Sequence, residues 1–97
     1  MFRIECNGDI TVTKGDKGFI NFRCANYRLI QGDTVVFYCD NLRIDKRVTE
    51  FTEKGFAAID LETEDTNHNK GTYDYVIRVI TANGIDETVI SGKYSII

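Results

Sequence analysis

Hydrophobic and polar positions alternate with a period of two along much of the chain. Ala57, Ile59 and Leu61 alternate with Phe56, Ala58, Asp60 and Glu62. After a polar run from Glu62 to Gly71, Tyr73, Tyr75, Ile77 and Val79 alternate with Asp74, Val76, Arg78 and Ile80. A period of two puts one set on each face of a strand, so this stretch predicts two strands and the bend between them. Shorter alternations predict strands at Phe2 to Cys6, Ile10 to Thr13 and Phe19 to Ala25. In the third, Ile20, Phe22 and Cys24 share one face, and Phe19, Asn21 and Arg23 the other. Thr34 to Asp40 is apolar on both faces, which suits a strand covered on both sides or one whose outer face meets another molecule. Leu42, Ile44 and Val48 predict a weaker strand with an irregularity near Lys46. A last strand is expected from about Asp86 to Ile97, with a bulge or bend at Ser91-Gly92-Lys93.

Turn signals separate these runs: Asn7-Gly8-Asp9, Lys14 to Gly18, Gln31 to Asp33, Glu50 to Lys54 and Ala82-Asn83-Gly84. Seven or eight short antiparallel strands and no convincing helix predict an all-β sandwich, with a small closed barrel as the alternative. The segment from Asp65-Thr66 to Gly71-Thr72-Tyr73 predicts a tyrosine corner. Asp65 and Thr66 start the bend, and the Tyr73 hydroxyl bonds back to backbone a few residues upstream. Losing that hydroxyl is expected to cost about 1 kcal/mol or more, because a buried hydrogen bond goes. An immunoglobulin-type disulfide needs a cysteine on the second core strand and another two residues after the corner tyrosine. Cys24 fits the first position and Tyr75 occupies the second. The pattern therefore predicts an immunoglobulin-like sandwich without that bond, with Tyr75 filling its volume.

With 97 residues the chain is expected to form one domain. A net charge of −3, with Lys and Arg spread along the chain, argues against nucleic-acid binding by bulk electrostatics. No apolar run approaches the ~20 residues that span a bilayer, and the N-terminus carries neither a basic leader nor an apolar signal core. The expectation is a protein made in the cytoplasm, with no membrane partner. The three cysteines, Cys6, Cys24 and Cys39, are an odd number without a C-x-x-C pair. Each sits in an apolar run and reads as a small buried hydrophobe. A zinc site from Cys6, Cys24, Cys39 and His68 lacks the usual close ligand spacing.

The one histidine, His68, sits in the polar bend, and the only serines are Ser91 and Ser95. This gives no pattern for a nucleophile, base and orienting group. The bend fails as a helix-loop-helix calcium loop, because Lys70 and Val76 stand where glycine and glutamate are required. A looser site from Asp60, Glu62, Glu64 and Asp65 is the remaining composition for calcium. No cofactor and no enzymatic activity are expected. Six Phe and five Tyr exceed what one core face accommodates. Phe19, Tyr27, Tyr38, Phe51 and Phe56 are the expected interface aromatics. The alternative is a carbohydrate-binding module stacking sugars on Tyr27, Tyr38 or Phe51.

Several segments occur in a familiar order. They are Asn7 to Asp16, Gln31 to Phe37, Ala57 to Thr66, Gly71 to Ile77 and Glu87 to Ile96. In this order the chain resembles the N-terminal immunoglobulin-like domain of phage baseplate upper proteins and related small prophage tail or virion proteins of Gram-positive bacteria. The likeness covers nearly the whole length; the cysteines and the charged Arg43 to Lys54 segment depart from it. It implies a structural, non-catalytic module made in the bacterial cytoplasm and associated with a virion. Its partners would be protein subunits, either copies of itself in a homo-oligomer or other tail and baseplate proteins. In longer relatives this domain precedes receptor-binding or carbohydrate-active parts, and with the chain ending at Ile97 the docking module alone is expected.

Overall fold

The computed structural model describes residues 2–4 (as backbone), 8–24 and 27–97. Its strands are β1 (Phe2–Ile4), β2 (Ile10–Val12), β3 (Gly18–Phe22), β4 (Thr34–Cys39), β5 (Ile44–Val48), β6 (Ala57–Leu61), β7 (Gly71–Ile80) and β8 (Asp86–Ile96). A single-turn helix, α1 (Thr63–Thr66), makes the bend between β6 and β7. Cys6 lies outside the described residues. Among them, no helix is long and apolar enough to cross a membrane.

Six strands form one sheet in the order β1-β2-β8-β7-β4-β5, and β3 pairs with β6 in a second. Alternation decides what lies between the sheets. Ala57, Ile59 and Leu61 of β6 and Ile20 and Phe22 of β3 meet Val35, Phe37, Tyr75, Ile77, Val79 and Tyr94 from the large sheet. β3 and β6 packed across β4, β7 and β8 is an immunoglobulin-like sandwich, extended by β5 at one edge and by β1 and β2 at the other. Among the described residues no ladder joins the two sheets.

Several expectations are corrected. The pairing is not wholly antiparallel: β2 runs parallel to β8, with Ile10 opposite Tyr94 and Val12 opposite Ile96. A tight hairpin forces antiparallel pairing, but these strands are joined through almost the whole chain and are free of that constraint. The irregularity placed near Lys46 falls at Arg43 (φ 56°), the left-handed residue that closes a 3-10 turn over Asp40–Leu42. β5 is regular through Lys46. The bulge expected around Gly92 falls at Val89, where Ile77 faces Ile90 and Arg78 faces Thr88. Gly92 has a different reason to be glycine: a Cβ there would lie 2.7 Å from the Gly8 carbonyl oxygen.

The core centre is aromatic. Phe37 stacks on Tyr75 with centroids 5.2 Å apart and meets Tyr94 edge-on at 5.8 Å. Both tyrosine hydroxyls end on backbone: Tyr75 donates to the Gly8 carbonyl, and Tyr94 to the Asp65 carbonyl at 3.1 Å. Burial, aided by Asp9, pushes the Tyr75 hydroxyl up to about 12. Burial also raises Tyr94, with Asp65 and Cys39 adding to it. Cys24 lies past the end of β3 on the same groove as Val79, four residues beyond Tyr75 on β7.

Candidate functional site

The bend between β6 and β7 is built as a brace. Asp65 accepts the Glu62 N–H at 2.8 Å, closing the first turn of α1, and pairs with Lys46 Nζ at 2.8 Å. The Thr66 hydroxyl donates to the Asp16 carbonyl at 2.6 Å, tying the bend to the loop before β3. The Tyr73 hydroxyl donates to the Asn69 carbonyl at 2.6 Å, four residues upstream. That bond is exposed, so the buried anchoring falls to Tyr75 and Tyr94 rather than Tyr73. Glu62 also pairs with Lys17 at 3.2 Å. His68 lines a shallow cleft with Ile44, Lys46 and Asp65. Among the described residues no three His, Cys, Asp or Glu side chains converge as a metal site. Cys39 is buried and Cys24 half-buried, and burial pushes both thiols up.

The five aromatic candidates do not form one patch. Phe19 is 56% exposed on the outer face of β3. Phe56 is half-buried, with the Arg23 guanidinium 5.2 Å from its ring centroid. Phe51 is half-buried against the core, with its remaining face on a shallow cleft beside Arg28 and Thr52. Tyr38 stands on the outer face of β4, 39% exposed, and donates to Asp40 at 2.9 Å. Tyr27 is 41% exposed, with its hydroxyl 2.8 Å from Asp33.

Tyr27 stands at a groove of about 570 Å³. One wall is the end of β3 and the residues after it, Phe22 to Cys24; the other is Ile85 with the start of β8 as far as Ile90, and Val79 lies at the floor. Ile85 (53% exposed) and Val89 (38%) stand at its rim. The geometry is set by Asp33, a buried carboxylate. It accepts from the Tyr27 hydroxyl, the Ile30 N–H at 3.0 Å and the Ala82 N–H at 3.1 Å. Burial alone would push the Asp33 carboxyl up. The hydrogen bonds from Ile30, Tyr27 and Ala82 outweigh it and hold the group below its ordinary value of 3.8. Asp33 thereby locks the loop carrying Tyr27 onto the hairpin between β7 and β8.

The sequence pattern missed Asp33, Ile85 and Val89. Gln31-Gly32-Asp33 read as a turn, and nothing in it points to partners on a hairpin 49 residues away. Comparison with protein-family models, with curated proteins and with solved structures gave no match.

Proposed function

We propose that this domain is a non-catalytic assembly module that docks onto other protein subunits, as part of a phage or prophage tail or baseplate. The observation that carries the docking reading is the groove between β3 and β8, where exposed Tyr27, Ile85 and Val89 surround an apolar floor. Apolar groups clustered beside an open strand edge are the chemistry of protein contacts. The resemblance of the ordered sequence segments supports the phage setting. The test is co-production with the products of flanking genes, followed by purification through a tag on this chain. A partner retained in fixed proportion through two steps supports the reading. A protein that retains none of them and remains a monomer refutes it.

A further inference from the structure

We infer that the groove takes an extended segment of a different chain, which adds as a strand to the open edge of β8 and places a lysine or arginine opposite Glu87. This rests on the docking reading above. β7 pairs with β8 along its whole length, but β2 covers the other edge only from Tyr94 to Ile96. The Lys93 N–H just before that stretch is taken by the Asp9 carboxylate at 3.2 Å. From Asp86 to Val89 the outer edge has no strand partner among the described residues. Such a row of main-chain donors and acceptors is met by another extended backbone.

The charges on the two long edges select the occupant. β5, the opposite edge of the sheet, turns Lys46 inward opposite Phe37, and Asp65 neutralises it at 2.8 Å. An inward charge of this kind blocks indiscriminate pairing. Glu87 is the counterpart on β8. It pairs in register with the core-facing Val79 and so faces the groove. Among the described residues no cation pairs with it at salt-bridge distance. Arg23, the arginine on the groove wall, has its guanidinium over the Phe56 ring. Glu87 therefore repels an acidic strand, loses solvation without compensation under a purely apolar one, and favours one that brings a cation. A second copy is the wrong occupant on the same grounds: Arg78 pairs with Asp86 at 2.7 Å, so the copy would bring a second Glu87 and no free cation to this edge, on a chain of net charge −3.

The test is an amide NMR titration of the full, reduced chain with two synthetic heptapeptides. Both alternate valine with threonine; one has a central lysine and the other a central glutamate. The lysine peptide is expected to shift the amides of Phe22 to Cys24 and Asp86 to Val89, binding about fivefold more tightly than the glutamate peptide. In Glu87→Lys, an exposed substitution checked for an unchanged spectrum elsewhere, the preference reverses. Equal binding of the two peptides, shifts confined to other surfaces, or no shift at millimolar peptide overturns the inference. Shifts that grow with protein concentration alone also overturn it, in favour of a second copy. If neither peptide docks while a flanking subunit still co-purifies, the groove assignment falls and the assembly reading stands.

Discussion

Gly92→Ala is the sharpest probe of how the sandwich is closed. Gly92 faces Tyr75 across the β7–β8 ladder, on the core side. It is not among the positive-φ glycines, so alanine suits its backbone. Stiffening the unfolded chain would by itself stabilise by about 0.4–1 kcal/mol. The contacts oppose this. The new Cβ would lie 2.7 Å from the Gly8 oxygen, 3.1 Å from the Gly8 carbonyl carbon and 3.1 Å from Tyr75 Cε1. Gly8 must move, at an overpacking cost of about 1–3 kcal/mol. Its carbonyl also accepts the Tyr75 hydroxyl, and a buried hydroxyl left without a partner costs about 1–3 kcal/mol more. The net expectation is a loss of about 3 kcal/mol, a large share of a typical domain's stability. Urea unfolding at pH 7 measures it, as a fall in midpoint of about 2 M for a slope near 1.5 kcal/mol/M. A variant within 0.5 kcal/mol of the parent, or more stable, refutes the argument. A double-mutant cycle isolates the route: Tyr75→Phe is expected to cost at least about 0.5 kcal/mol less in the alanine background, whereas strict additivity would show that the Tyr75 bond is not what breaks.

Tyr94→Phe, which removes a buried bond to Asp65, is expected to cost about 1–2 kcal/mol, and Tyr73→Phe, which removes an exposed one, less than about 1; chemical denaturation ranks them. Stability is expected to fall as pH rises past 10, because the unfolded tyrosine ionises near 10 while native Tyr75 holds its proton to about 12. Urea midpoints should show a loss of about 2 kcal/mol from Tyr75 by pH 12, absent in Tyr75→Phe. Asp33→Ala strands the Ile30 and Ala82 amides and is expected to cost about 2–3 kcal/mol. Asp33's lowered native pKa makes a stability contribution that is complete above its ordinary value of 3.8 and lost as pH falls through the native value, so an acid series with Asp33→Asn should lack that step. Lys46→Val removes the inward charge from the β5 edge and is expected to introduce concentration-dependent association, read by sedimentation velocity.

The strands were legible where one face is buried and the period of two is long, as in β6 and β7. The closing bend was legible too, because Asp65-Thr66 and Gly71 punctuate it. Which edges meet was not, because that depends on segments far apart in the chain. The parallel pairing of β2 with β8 and the seating of Gly8 on Gly92 have no local pattern. A glycine inside a strand means either a bulge or a close backbone approach, and the sequence does not choose between them. The bulge at Val89 carries no signal, since it demands no special residue. One usable signal was present and not read. Lys46 stands in frame with Ile44 and Val48, and Glu87 with Ile85. A charge in an apolar frame marks an edge strand.

The most direct measurement is light scattering of the reduced protein, alone and mixed with a co-purified flanking subunit, across a concentration series. The account predicts a discrete complex whose mass fixes the stoichiometry and does not drift on dilution, and which Glu87→Lys weakens. A domain that stays a monomer in every mixture would contradict it.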